Sequence, residues 1–291
     1  MNSTAADRKV VVVTGASSGI GKETAKAFAA MGWHVIGTGR NAERSAAAEA
    51  EIRAAAAPEA RVDFVRGDMA LMAETKRIAD EIKGLTGRID VLINNAGGVR
   101  DQRYVTSEGT EETFSANHLA PFLLTRELLP LLRAAVTAEG SARVLAVSSQ
   151  AYAYTTSMNW EDLQNLEGEF AASGVYCQAK LANQLFNVEL DRRVAEEGIV
   201  SQALVPGPVA TNFFTHGDQT MQEYGKVADA MTPQDVAQTL VWMATAPETG
   251  LPGGRMFYDH AEVERLPQGT DTEQSARLWR ESEALLEKLG F

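Results

Sequence analysis

Tyr176 and Lys180 stand four residues apart at the start of a segment whose apolar stripe runs through Leu181, Leu185 and Val188. Helical spacing places both side chains on one face. A phenol with an ordinary pKa of about 10 exchanges protons poorly at neutral pH, and an ammonium beside it stabilises the phenolate and lowers that value. The pair can therefore act as proton donor and acceptor, although a Tyr-x-x-x-Lys spacing by itself is usually two surface neighbours. Ser148 and Ser149 end an apolar run beginning at Val144 that reads as a strand. No His and Asp accompany them in a hydrolase pattern, so a serine nucleophile is not expected. His34, His118, His216 and His260 are scattered without ligand spacing, so no metal is expected either.

A second chemistry sits near the other end of the chain. Val10 to Val13, then Thr14-Gly15-Ala16-Ser17-Ser18-Gly19-Ile20-Gly21, then apolar residues at helical spacing closed by Gly32, read as strand, tight turn and helix. Glycines let the backbone approach a pyrophosphate, whose charge is met by free N–H groups and the positive end of the helix. Ser17 and Ser18 add hydroxyl donors. The bland alternative is an ordinary strand-to-helix turn, and the spacing is Gly-x-x-x-Gly-x-Gly rather than the more familiar dinucleotide fingerprint.

Each later strand ends on residues suited to the same ligand. After the second comes Thr38-Gly39-Arg40-Asn41. An NAD site places Asp or Glu near here to hold the ribose, whereas a guanidinium can grip a 2′-phosphate, so Gly39-Arg40 favours NADP over NAD. Arg40 could otherwise be a solvated charge. Asp68, followed by Met69, either accepts from an adenine amino group or caps the next helix, and the two readings weigh evenly. Asn94-Asn95-Ala96-Gly97 can tie adjacent strands and leave room beside a flat ring, or can be only a turn.

The three motifs together, Thr14-Gly15-x-x-x-Gly19-x-Gly21, Asn94-Asn95-Ala96-Gly97 and Tyr176-x-x-x-Lys180, resemble the short-chain dehydrogenase/reductase family over nearly the whole chain. The resemblance implies hydride transfer between a nicotinamide and a carbonyl or alcohol carbon, with Tyr176 exchanging the oxygen's proton. It assigns Ser149, with Ser148 as the alternative, to hold that oxygen. Lys180 would bind the nicotinamide ribose, and Asn117 would hold a water behind the lysine. Pro206-Gly207-Pro208-Val209-Ala210-Thr211 looks like the family's turn beside the nicotinamide. Gly15, Ser17, Ser18, Gly19, Ile20, Gly21, Arg40, Asn41, Asp68, Met69, Asn95, Ala96 and Gly97 would hold the rest of the cofactor.

The insertion 150–175 carries Tyr152, Tyr154, Met158, Trp160 and Phe170 between Ser149 and Tyr176, and is expected to shape an apolar substrate pocket. Residues 212–226, with Phe213, Phe214, Met221 and Tyr224, read as an irregular segment that either covers substrate as a lid or packs on the core. The insertion, the sequence Tyr176 to Asn183 and the ending from Gly254 to Ser282 resemble the retinol dehydrogenase-like branch. That branch implies NADP and lipophilic aldehydes, ketones or alcohols, while the membrane anchor of many members is expected to be missing. A non-catalytic NADP sensor is the competing reading, disfavoured because Asn117, Ser149, Tyr176 and Lys180 are all present.

The elements that would position these residues alternate along the chain. Strands are expected at Val10–Thr14, His34–Gly37, Val62–Arg66, Ile89–Ile93, Val144–Ser148, Val200–Val205 and Met256–Tyr258, with helical patterns between them. This is an α/β chain: one Rossmann-type doubly wound parallel sheet of about seven strands with helices on both faces, spanning 1–291 as a single domain. The alanine-rich stretch Ala46–Ala57 reads as an exposed helix ended near Pro58. A net charge of −12 argues against nucleic acid, no apolar run reaches membrane-span length, and too few residues precede the first strand for a secretion signal. With Cys177 as the single cysteine the protein is expected to be cytoplasmic. Assembly as a homodimer or homotetramer stays open.

Overall fold

The computed structural model describes residues 8–211, 213–227 and 229–291. Four valines form β1 (Val10–Val13), buried along its whole length, as befits a parallel strand covered on both faces. The glycine turn leads into α1 (Gly19–Ala30), and the alternation continues through β2 (His34–Gly39), α2 (Ala42–Ala55), β3 (Arg61–Arg66), α3 (Met72–Leu85) and β4 (Val91–Asn94). After a long loop, the single turn α4 (Glu112–Phe114) runs through a π-helical turn, Ser115–Leu119, directly into α5 (Ala120–Glu139). There follow β5 (Ala142–Val147), α6 (Ala172–Val194), β6 (Ile199–Leu204), α7 (Gln219–Val227), α8 (Pro233–Thr245), β7 (Met256–Tyr258), β8 (Ala261–Val263) and α9 (Thr272–Lys288).

One sheet carries all the strands, in the order β3-β2-β1-β4-β5-β6-β7-β8. Every pairing is parallel except β7 with β8. The chain winds outward from β1 through β2 to β3, then restarts at β4 on the other side of β1. That reversal opens a crevice beyond the carboxyl ends of β1 and β4, the place where such sheets bind ligands.

The expected strands are present, with differences at their ends, and β8 is additional. Its hairpin turn is made by Asp259 and His260, both at positive φ. Such turns normally announce themselves with Asn-Gly or Gly, and Asp-His carries no such signal. The alanine-rich helix ends at Ala55, with Ala56 already extended ahead of Pro58.

One apolar layer packs Phe28, Ile52, Leu240 and Met243 against the sheet from α1, α2 and α8. On the opposite face Ile78, Leu124 and Phe186 from α3, α5 and α6 are joined by Trp279 and Leu286 from α9. The Trp279 ring centroid lies 4.7 Å from that of Phe122 and stacks on Phe186 at 5.9 Å, with the Arg193 guanidinium 4.2 Å from its own centroid. Beside it the His118 Nε2 is 2.7 Å from the Ser282 hydroxyl, and burial holds the imidazole pKa down to about 3, so it is neutral. The last helix is thereby part of the core.

Candidate active site

Gly15 and Gly19 adopt positive φ, 68° and 53°, which turns the backbone sharply ahead of α1. Gly21 is required by close approach: a Cβ there would meet Asn95 Nδ2 and the Gly15 carbonyl at 2.5 Å. Asn95 secures the turn, its Nδ2 donating to the Thr14 carbonyl at 2.8 Å. The Asn95 and Ala96 amides both donate to the Thr14 hydroxyl at 2.9 Å. The two strands at the reversal are thus laced together. Ser18, the N-cap residue of α1, makes no side-chain capping bond, which leaves the positive end of the helix facing a cleft of about 1400 Å³.

The cleft is lined by Gly15, Ser17, Ser18, Gly19, Ile20, Arg40, Asp68, Met69, Asn95, Ala96 and Gly97. Its other end is lined by Ser149, Tyr176, Lys180, Pro206, Gly207, Val209 and Thr211. The sheet has gathered almost every expected site residue from across the chain. Three lie outside the lining. Gly21 packs beneath the turn, Asn117 sits behind Gly98, and Asn41 caps α2 by accepting from the Arg44 amide at 2.9 Å. Capping, rather than ligand contact, accounts for Asn41.

At the far end from Tyr176, Gly39 has no room for a side chain. A Cβ would lie 2.6 Å from Ser45 Oγ and 2.9 Å from Ser17 Cβ. Arg40 next to it is half exposed and pairs with Asp68 at 3.2 Å and Glu112 at 3.4 Å, so it is not a solvated charge without partners. Asp68 does not cap α3. Its Oδ1 accepts from the Ala70 amide at 3.0 Å, while Glu108, from the loop after β4, accepts from the Met72 and Ala73 amides at the helix start. A cap supplied from more than thirty residues away leaves no local sequence signal. Glu112, Arg100 and Arg44 also line this end and were not foreseen.

Around Tyr176 the geometry separates the two serines. Ser148 is buried, and its hydroxyl accepts from Gln184 Nε2 at 2.9 Å. Ser149 faces the cleft, and its hydroxyl favours the ionised form of the Tyr176 phenol. Lys180 Nζ donates to the Val147 carbonyl at 3.1 Å and lies 5.5 Å from the Tyr176 ring centroid. Asn117, in the π-helical turn, donates through Nδ2 to the Gly98 and Thr113 carbonyls at 2.7 Å. Its buried Oδ1 has no partner among the described residues. A π turn displaces the ladder at this point, a distortion frequent at functional sites.

The expected lowering of the Tyr176 pKa is not what the cleft produces. Burial pushes the phenol up, only partly opposed by the Ser149 hydroxyl, and burial also brings Lys180 down to about 8. With the ammonium turned toward Val147, desolvation outweighs its pull on the phenolate. The sign of the pH dependence follows. Lys180 is charged below about pH 8 and loses its proton as pH rises through that value, while Tyr176 stays protonated over the same range. The rate of any reaction at Tyr176 that needs the charged lysine is expected to be level below pH 8 and to fall above it. A pH–rate profile checks this, and a Lys180→Gln variant should lack the inflection.

The insertion 150–175 is oriented differently from expectation. Tyr152 is buried and accepts from the Leu266 amide at 3.1 Å, the Met158 amide donates to Gln274 Oε1 at 3.1 Å, and Trp160 stacks under Arg277 of α9 at 4.3 Å. These aromatics pack on the C-terminal segment, which contributes equally apolar surface. Toward the cleft the insertion presents mainly Thr155, Asn159, Asn165 and Glu169, with Tyr154 84% exposed. Gln178 on α6 latches this wall, accepting from the Asn159 amide and donating to Thr155 Oγ1 and the Ser157 carbonyl. The apolar contribution comes mainly from Val99, Phe213, Phe214 and Met221; Val99, Phe213 and Met221 cluster about Tyr176 with Phe170 of the insertion behind them, the Phe213 ring 5.1 Å from the tyrosine ring. Residues 213–216 and 219–227 are helical rather than irregular. Asn212 and the Tyr224 side chain lie outside the described residues.

Among the described residues no group of three His, Cys, Asp or Glu could hold a metal ion, and no helix is long and apolar enough to cross a membrane. Comparison with known proteins gives a match to the family model for short chain dehydrogenase over residues 9–161. Human retinol dehydrogenase 14 is 34% identical over 295 residues, covering 96% of this chain and 86% of that protein. Mouse polyprenol dehydrogenase is 34% identical over 280 residues, covering 94% and 82%. A solved structure of an uncharacterized protein from Mycobacterium paratuberculosis superposes with a TM-score of 0.73 at 30% identity, over 99% of this chain and 98% of that one.

Proposed function

The chain belongs to the short chain dehydrogenase family, in its retinol dehydrogenase-like branch, and from that premise we propose that it is an NADP-dependent oxidoreductase acting on a carbonyl or alcohol. The observation that carries this reading is the gathering of Ser149, Tyr176 and Lys180 at one end of a cleft whose other end is an uncapped helix start.

The residues present fit a dinucleotide. Gly15, Ser17, Ser18, Gly19 and Ile20 surround the positive end of α1, suited to a pyrophosphate. The crowding at Gly39 leaves no room for the carboxylate that an NAD site would carry there, and Arg40 at the same end of the cleft would meet a 2′-phosphate, which supports NADP. Asp68 and Met69 would meet adenine. Asn95, Ala96, Gly97, Pro206, Gly207, Val209 and Thr211 would flank the riboses and the ring. When bound, the nicotinamide supplies or takes the hydride. Tyr176 gives its proton to the substrate oxygen in reduction and takes one in oxidation, while Ser149 holds that oxygen. Lys180 keeps positive charge beside the phenol, and the unpaired Asn117 Oδ1 can hold the water that restores the proton.

The substrate reading follows from the two walls. Val99, Phe213 and Met221 favour an apolar part next to the reacting carbon, and Thr155, Asn159 and Asn165 favour hydrogen-bonding groups further out. Residues 213–226 would act as a lid over the apolar part. The single free cysteine, Cys177, suits work in a reducing compartment such as the cytoplasm.

The test has two arms. NADPH absorbance is followed against aldehydes, ketones and quinones; binding without turnover on any of them would favour a cofactor sensor instead. In the second arm, Arg40→Ala is expected to weaken NADPH about 10- to 100-fold by fluorescence titration, the worth of a charge-assisted phosphate contact, with NADH little changed.

A further inference from the structure

Arg40 is not free to serve a phosphate alone. The same Nη1 lies 3.2 Å from Asp68 Oδ2 and 3.4 Å from Glu112 Oε1, and Glu112 is itself closely paired with Arg100 from the loop after β4. Two segments of chain thus bring carboxylates to one guanidinium, and a third, through Arg100, pairs with one of them.

The two carboxylates differ in what else they do. Asp68 Oδ1 holds the turn after β3 through the Ala70 amide. Glu112 stands at the first position of α4, yet it caps nothing. That duty belongs to the buried Glu111, which accepts from the Thr113 and Phe114 amides at 2.9 and 2.7 Å. The Glu112 side chain therefore has its contacts with Arg40 and Arg100, and it lines the cleft.

A phosphate monoester carries nearly two negative charges at neutral pH. Brought onto Arg40 it would stand within a few ångströms of the Glu112 carboxylate and be repelled, whereas ribose hydroxyls can donate to a carboxylate. We propose that Glu112 is a specificity-determining residue for the cofactor, opposing the 2′-phosphate at Arg40, with Arg100 as the counter-charge that limits this opposition. This rests on the reading of Arg40 given above. The NADP preference is then graded by the charges around Arg40, Asp68 among them, rather than set by Arg40 alone.

The experiment titrates NADPH and NADH separately into wild type, Glu112→Gln, Arg100→Gln and Arg40→Ala, following cofactor fluorescence at low and high salt. Glutamine keeps the size and polarity of Glu112 and leaves the Glu111 cap in place, so the fold should stand. Glu112→Gln is expected to tighten NADPH about three- to fivefold with NADH within about twofold, and Arg100→Gln to weaken NADPH by a similar factor. Both effects should shrink with salt. If Glu112→Gln leaves the ratio of the two dissociation constants where it was, or moves both cofactors together, the proposal is overturned. Should Arg40→Ala shift that ratio while Glu112→Gln does not, Glu112 alone has been misassigned. If neither variant shifts it, the phosphate reading of Arg40 fails and this inference falls with it.

Discussion

Tyr176→Phe is expected to lower turnover about 10²- to 10⁴-fold while leaving NADPH affinity within about twofold. The substitution removes one oxygen and keeps the ring. That ring is held by Val99, Ala172 and Phe213, so its packing survives, and what disappears is the hydroxyl that shares the cleft with Ser149. Because burial keeps the phenol protonated, the wild-type side chain is ready to donate, and phenylalanine has nothing to give. Absorbance assays and fluorescence titration on the same preparation separate the two quantities. Turnover equal to wild type would remove Tyr176 from the chemistry. A parallel loss of binding would mean the change had disturbed the cleft.

The second large effect is on stability. Trp279→Ala should destabilise the protein by about 3 to 5 kcal/mol, the cost of a cavity at a large buried aromatic. Trp279 is 7% exposed and fills the space between Phe122 on α5 and Phe186 on α6, with Arg193 closing the outer side. Urea unfolding measured by fluorescence and circular dichroism checks this, provided the slope is unchanged between variants. A loss below about 1 kcal/mol would show that α9 is an appendage rather than a wall of the core.

Much of the site was legible because its residues obey local rules. The valines of β1, the glycines after them and the four-residue step from Tyr176 to Lys180 each encode their conformation within a few positions, and the sheet then assembles them. What stayed hidden depends on contacts between distant segments. Glu108 caps a helix that begins at Met72, and Tyr152, Met158 and Trp160 look like pocket residues until α9 is seen to cover them. Asn41 followed Arg40 and so resembled a ligand residue, when its side chain serves the backbone of α2. Phenol acidity was misjudged for a related reason. Spacing shows that an ammonium is near, whereas the depth of burial that weakens both groups belongs to the folded cleft.

The place of α9 also bears on how the chain comes to be folded. Phe122, His118 and Phe186 acquire their outer neighbours only when Trp279 and Ser282 exist. A ribosome that has delivered the whole sheet and every residue of the cleft has still left that aromatic face in water. Ser149, Tyr176 and Lys180 are thus complete as covalent structure well before the layer behind α6, the helix bearing Tyr176 and Lys180, is sealed. Synthesis from N- to C-terminus makes α9, which follows every strand and every residue of the cleft, the segment that closes the scaffold of the site.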